Sequence, residues 1–396
     1  MSLFFELIRY RFSKPKSNVC SFLSFDGHCS DSPYFISKEI YRLRPDIIQY
    51  WIVKDQYRQY VPNYAVAVRF KSKEAARIIR ESKFIVDNVY GPYAYAVSSE
   101  PLSKVKGLLF RLFSFKKSQR VYTTWHGNSL KKGGRDQIGN DITNLYCGNL
   151  TIFSGALFTQ KIMYHQSFGK AKMILLGTPR NDFLFLKEND IQIKTQLRLP
   201  VDKKIVLFAP TFRNDGKDVE EKNIERSGLN QIKEIDFFRL LGALNKRFGG
   251  DFVFVLRFHY HVMSLIDWGA LSKQYPGIII NGNSNDDMSL YLKVADVLIT
   301  DASSCMYDFS LKKSPCFLFF PDLISYQNKE RGFYIPIEEL PFACSTSFDD
   351  LLNSINRFDP HEYLSNIEKM HKKLGFVDDG HSTARIAKYI LADNCL

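Results

Sequence analysis

The sequence predicts an α/β chain in which a doubly wound parallel sheet is built twice. Three observations carry this. Short β-rich apolar runs alternate with helical patterns along most of the length, and several runs, such as Val297–Thr300 and Cys316–Phe320, are apolar on both faces. A charged stretch then divides the chain into near-equal halves. Strands without a polar face need helices on both sides, the situation in a covered parallel sheet. Strand–helix alternation supplies that layer order.

In the first half, Ile47–Val53 reads as a strand and Ser72–Ser82 as a helix with Ser72 as its N-cap. Phe84–Asn88 and Val121–Thr124 read as strands, Gly155–Gln166 as a helix, and Met173–Gly177 as a further strand. The charged stretch Leu186–Asp202 (LKENDIQIKTQLRLPVD) reads as a linker plus helix, which places one domain at 1–185 and the other at 203–396. Each half is large enough for a core of its own. The second half opens on the strand Ile205–Ala209, followed by the polar loop Lys217–Gly228 and the helix Asp236–Phe248. Strands Phe252–Phe258 and Ile278–Asn281 follow, then helix Asp287–Val294, strand Val297–Thr300, helix Ser303–Leu311 and strand Cys316–Phe320.

Apolar residues are 45% and charged residues 24% of the 396, which excludes a disordered or collagen-like chain. The net charge of +12 favours an anionic partner: nucleic acid, a phosphorylated substrate or an anionic membrane surface. Seven scattered cysteines without a C-x-x-C pair suggest reduced thiols in a cytoplasmic protein, not a zinc cluster or a dithiol. No 18-residue apolar run and no signal-peptide pattern is visible, so the expectation is a chain that is soluble or lies on a membrane. Pro101–Arg120 (PLSKVKGLLFRLFSFKKSQR) carries six cations, eight large apolar residues and no acid. That composition suits a helix lying on anionic lipid, and equally a helix packed on the first domain.

Ligands of α/β sheets bind beyond the carboxyl ends of strands, and four such places carry chemistry. In Thr123–Gly134 (TTWHGNSLKKGG), His126 sits in a Gly- and Lys-rich loop, suited to proton transfer near neutral pH or simply a surface histidine. In Phe252–His261, alternation places Arg257, His259 and His261 on one strand face, suited to phosphate. An edge strand with outward polar residues reads the same, and a metal pair lacks a third ligand. In Val297–Asp308, a strand runs into Ser303 and Ser304 at a helix start, fit for an anion or a plain N-cap. Arg213 in Phe208–Asp215 offers a phosphate fork. Gly177–Asp182 repeats the idea, unless Arg180 and Asp182 only pair within a turn. There is no P-loop, no G-x-G-x-x-G and no D-x-D pair, which argues against a P-loop NTPase and a metal-dependent nucleotide-sugar site.

Taken in order, TWHG at Thr124–Gly127, G-x-PRND at Gly177–Asp182, APTFR at Ala209–Arg213 and LRFHY at Leu256–Tyr260 resemble the CDP-glycerol glycerophosphotransferase family. ITDASSCMYDF at Ile299–Phe309, the block Phe320–Tyr334, and Asp378–Gly380 with Arg385 extend the resemblance to the C-terminus. Asn128-Ser129 stand where the family usually has Thr-Pro, and Ala302 where it usually has Tyr; these positions bear on acceptor and polyol more than on reaction class.

The resemblance implies a GT-B-like pair of facing Rossmann-type lobes with the active site in the cleft. It implies transfer of glycerol phosphate or ribitol phosphate from a CDP-activated donor to a hydroxyl of a lipid-linked or polymeric glycan, with release of CMP. His126 would be the general base and His259 would stabilise the pyrophosphate or the leaving CMP. Arg213, Arg257, Ser303 and Ser304 would hold the phosphates and Thr300 and Asp301 would line the nucleotide side. Gly127, Thr211, Arg180, Asp182, Asp308 and Arg331 would support them. No cofactor and no metal site is expected, and no nucleic-acid partner. The expected location is the inner face of the plasma membrane, peripherally bound through 101–120. Two alternatives stand beside it: a nucleotide-sugar glycosyltransferase on the same fold, for which no E-x-x-x-x-x-x-E pattern is evident, and a non-enzymatic nucleic-acid-binding protein, for which no module is recognisable and which leaves the strand-end histidines unexplained.

Overall fold

The computed structural model describes residues 8–9, 11–88, 118–133, 136, 150–163, 171–186, 190–211, 229–258, 266–283, 287–329 and 332–395. It divides into two units, one of residues 1–128, 134–183 and 374–396, the other of 129–133 and 184–373.

The first unit is built on β1 (Lys16–Phe22), β2 (Ile48–Val53), β3 (Val66–Arg69), β4 (Ser82–Asp87), β5 (Arg120–Thr123), β6 (Leu150–Ser154) and β7 (Lys172–Leu175). The second is built on β8 (Lys204–Ala209), β9 (Phe252–Leu256), β10 (Ile279–Asn281), β11 (Val297–Thr300), β12 (Cys316–Phe319) and β13 (Ala343–Ser345). The strand orders are β3-β2-β1-β4-β5-β6-β7 and β10-β9-β8-β11-β12-β13, so each sheet reverses its winding beside its first strand. Every named strand pair is parallel, for example β1 with β4 and β8 with β11. β6, β9, β11 and β12 are buried at every position, which is why β9, β11 and β12 read as nearly unbroken apolar runs, while Thr151 and Ser154 interrupt β6 and the sequence reading passes over it.

The helix starts follow elementary capping. Ser72 Oγ accepts from Ala75 N–H at 3.0 Å. Asp236 accepts from Phe238 and Arg239 N–H, and Asp287 from Ser289 N–H, so these two aspartates cap their helices from outside. The first core joins Phe22, Trp51, Phe84, Tyr122 and Phe153 of the sheet to Ile36 and Ile40 of the helix Asp31–Leu43 and to Ile386, Ala387, Ile390 and Leu391 of the helix Ser382–Asp393. The second packs Phe208, Phe254, Ile299 and Phe317 against Phe237, Leu240 and Leu244 of the helix Phe237–Phe248 and Leu351 and Ile355 of the helix Phe348–Asn356.

Two expectations change. The division of the chain is not a single cut: residues 374–396 belong to the first unit, because the apolar face of Ser382–Asp393 completes the first core. The helix of the expected linker-plus-helix, Asp190–Gln196, belongs to the second unit and not to a separate linker, with Ile193, Leu197 and Leu199 buried. Strand β9 stops at Leu256, so Arg257 lies just past it; His259 and His261 lie outside the described residues. Among the described residues no helix is long and apolar enough to cross a membrane. Residues 101–117 of the basic apolar segment lie outside the described residues.

Candidate active site

At the carboxyl edge of the first sheet, β5 ends at Thr123 and the chain turns abruptly through Trp125 (φ 49°) and Gly127 (φ 86°). A left-handed tryptophan is strained by about 1–3 kcal/mol and persists only where surroundings over-determine it. Here Thr123 Oγ1 accepts from Trp125 N–H at 3.2 Å, and Thr124 N–H donates to Asp87 O at 2.9 Å. Between the two left-handed residues, the exposed His126 stacks on Phe25, with ring centroids 4.6 Å apart and 27° between planes. Arg180 Nη2 donates to His126 O at 3.0 Å. The positive φ favours glycine at 127, and a Cβ there would meet that Nη2 and push the guanidinium aside. Arg180 Nη1 reaches both carboxylate oxygens of Asp31, at 3.0 and 3.3 Å.

Asp182 serves another end. Its carboxylate accepts from Ser382 and Thr383 N–H at 2.9 and 2.6 Å, capping the C-terminal helix. The DDG segment works beside it. Asp378 Oδ1 accepts from Thr178 N–H at 2.7 Å, and Arg385 Nη1 donates to Asp379, holding that carboxyl below its usual range.

In the second unit the candidates gather at the ends of β9, β8 and β11, which are neighbours in the sheet. Thr300 Oγ1 donates to Ala209 O at 2.6 Å. The fully buried Asp301 accepts from Thr211 N–H at 2.8 Å and from Gln231 Nε2 at 3.1 Å. Both residues thus fasten the chain leaving β8. Arg257 Nη1 donates to Gly282 O at 2.8 Å while its guanidinium lies 4.7 Å over the Tyr291 ring. The helix expected over Ser303–Leu311 is shorter, Cys305–Ser310. Ser304 occupies its N-cap without a side-chain bond, and Ser303 Oγ accepts from Cys305 N–H at 3.4 Å. Asp308 is buried on that helix. Burial pushes the Cys305 thiol up to about 11, so it carries no thiolate near neutral pH.

The structure therefore brings His126, Gly127 and Arg180 together in one unit and Thr211, Thr300 and Asp301 in the other, with Arg257, Ser303, Ser304 and Asp308 on adjoining segments. Arg213, His259 and Arg331 lie outside the described residues. Sequence reasoning misses Phe25, Asp31, Asn88, Gln231 and Tyr291. One signal is present: Ser-Asp-Ser-Pro at 30–33 places proline in a first helical turn and marks the start at Asp31.

Two Rossmann-type parallel sheets in one chain, each with candidate residues at its carboxyl edge, define a GT-B-like protein. At the level of fold alone, a putative UDP-N-acetylglucosamine 2-epimerase from Listeria monocytogenes is similar, at TM-score 0.51 and 12% identity over 96% of both chains. A histidine-to-asparagine variant of the wall teichoic acid polymerase TagF, soaked with CDPG, is much nearer: TM-score 0.77 and 26% identity over 99% of this chain and 94% of that one.

Residues 4–392 match the family described as CDP-glycerol:poly(glycerophosphate) glycerophosphotransferase, and the chain belongs to that family. A teichoic acid poly(glycerol phosphate) polymerase from Staphylococcus epidermidis is 29% identical over 407 residues, covering 96% of this chain and 51% of that protein. The chain thus spans about half the length of that relative.

Proposed function

We propose that this chain transfers glycerol phosphate or ribitol phosphate from a CDP-activated donor to a hydroxyl of a lipid-linked or polymeric glycan, releasing CMP. The observation that carries the reading is an imidazole, His126, fixed on a strained turn at a strand's carboxyl end in a chain of this family.

In this reading His126 takes the proton of the acceptor hydroxyl. The acceptor oxygen then attacks the phosphorus that bears the polyol, the bond from that phosphorus to the CMP oxygen breaks, and CMP leaves. Such transfers pass through a loose, charge-rich transition state, so positioning and charge compensation dominate. Arg257 and Arg213, with Ser303 and Ser304, supply the compensation on the donor phosphates, Arg331 supports them, and His259 stabilises the leaving CMP. Thr300 and Asp301 act indirectly, by fastening the chain that leads from β8 to Arg213.

The test is donor turnover. Incubation with CDP-glycerol or CDP-ribitol and a lipid-linked acceptor is expected to release CMP in proportion to acceptor extended. No CMP from either donor, together with a salt-sensitive gel shift of nucleic acid, would replace this reading by the nucleic-acid one.

In the same reading the protein lies peripherally on the inner face of the plasma membrane, held through 101–120. Replacing Lys104, Lys106, Lys116 and Lys117 by Glu is expected to abolish most sedimentation with anionic liposomes, since each cation near an anionic surface contributes about 1 kcal/mol and the four together about 4 kcal/mol. Unchanged sedimentation would return the segment to packing on the first unit.

A further inference from the structure

We infer that Asp31 is the positioning residue of the His126 turn and acts on it through Arg180. The inference rests on the reading of His126 as the base.

The Asp31 and Arg180 side chains are 12% and 16% exposed, so their ion pair is largely withdrawn from solvent. The planar guanidinium divides its donors: Nη1 to the Asp31 carboxylate, Nη2 to the main-chain carbonyl of His126. A fork of this kind carries geometry as well as charge. With one edge fixed on Asp31, the other edge fixes where the His126 carbonyl can lie, and the space over Gly127 is filled by the same Nη2.

Asp31 is itself over-determined. It holds a left-handed backbone (φ 63°) at the first position of the helix Asp31–Leu43. Asn88 Nδ2 donates to its Oδ2 at 3.0 Å, Ser32 N–H donates to its Oδ1, and Asn88 also reaches Ser24 Oγ at 3.2 Å. Ser24 follows β1, Asn88 follows β4, His126 follows β5 and Arg180 follows β7, so four strand ends and one helix start are joined in one chain of hydrogen bonds that reaches the His126 carbonyl through Arg180. They include β1 and β4, where the sheet reverses its winding. Phe25, stacked on the imidazole, fixes the ring while this network fixes the main chain. Together these contacts hold the turn whose strain at Trp125 would otherwise relax.

Kinetics and spectroscopy test this together. A displaced base harms the transition state and leaves donor binding alone, so Asp31→Asn is expected to lower kcat for CMP release by about 10²-fold with donor KM unchanged within about twofold. Arg180→Lys keeps the charge but cannot bridge both groups, and is expected to show the same split. The double variant should be no worse than either single one, because both break one linkage. Wild-type kcat in a folded single variant, a loss confined to donor KM, or additive losses in the double variant would each overturn the inference.

The His126 ring proton resonances provide a readout independent of turnover. They are expected to move in Asp31→Asn and in Arg180→Lys while resonances of His361 and His371, in the second unit, stay in place. Unmoved His126 resonances overturn the positioning role even if no donor is ever turned over. Absence of CMP release by the wild type would instead overturn the transferase reading and leave the spectroscopic test standing. Should the amide variant not fold, Arg180→Lys carries both tests.

Discussion

His126→Ala is expected to lower CMP release by about 10³-fold, within the range that general base catalysis contributes. The protein should keep its melting temperature within a few degrees. The side chain is exposed, and its ring lies against those of Phe25 and of Trp125, the latter at 4.1 Å between centroids. Truncating an exposed ring of this kind typically changes stability by no more than about 0.5 kcal/mol. The Arg180 bond is made to the carbonyl of residue 126, which alanine retains. The backbone geometry should therefore survive while the proton acceptor is lost. Donor KM should stay near the wild-type value, since the base acts on the acceptor hydroxyl. A folded alanine variant with wild-type turnover would remove His126 from the chemistry.

Ending the chain after Lys373 is expected to unfold the first unit and spare the second. The missing residues include Ile386, Ala387 and Ile390, each 0% exposed, and Leu391 at 7%. Burying three large aliphatic side chains contributes about 5–9 kcal/mol, against about 5–15 kcal/mol for the whole stability of a domain. Polar losses add to this. Tyr122 OH donates to Asp393 at 2.7 Å and accepts from Asn394 Nδ2 at 2.8 Å, and Asp182 loses the two N–H groups it caps. Limited proteolysis with mass analysis should show the 1–183 region digested at protease levels that leave 184–373 intact. The digestion pattern of the full chain would contradict this account of the first core.

Strands β8, β9, β11 and β12 of the second unit are legible in the sequence because burial on both faces leaves almost only apolar residues, whereas the short, half-exposed β13 is not read there. Val297–Thr300 has the same bounds in sequence and structure, and Ile205–Ala209 differs by one residue. The first unit hides β1, β3 and β6. In β1, KSNVCSF, the three leading residues are exposed and one of the four buried ones is Ser21, so neither alternation nor a continuous apolar run announces it. A hidden strand also hides its carboxyl end, and with it Phe25 and Asp31, which lie just beyond β1.

The site shows the same boundary. His126 and Gly127 are readable from a strand running into a glycine-rich loop, and Arg180 from its motif. Their linkage is not, since Asp31 and Arg180 stand 149 residues apart and meet only because their elements end on the same sheet edge. The suspected turn pairing of Arg180 with Asp182 gives way to two separate tasks. Asp182 reaches residues 200 positions on, a distance no local pattern can signal.

The return of residues 374–396 to the first sheet bears on the order in which a nascent chain matures. The second unit, 184–373 with 129–133, has all its strands once residue 373 has left the ribosome. At that moment the earlier-made sheet still lacks the helix that covers Trp51, Tyr122 and Phe153. Contacts of such long sequence separation form slowly, and an uncovered apolar sheet face is sticky while it waits. Of the two units the earlier-made one is thus sealed later, and the turn bearing His126 sits on the half that waits for residues 374–396.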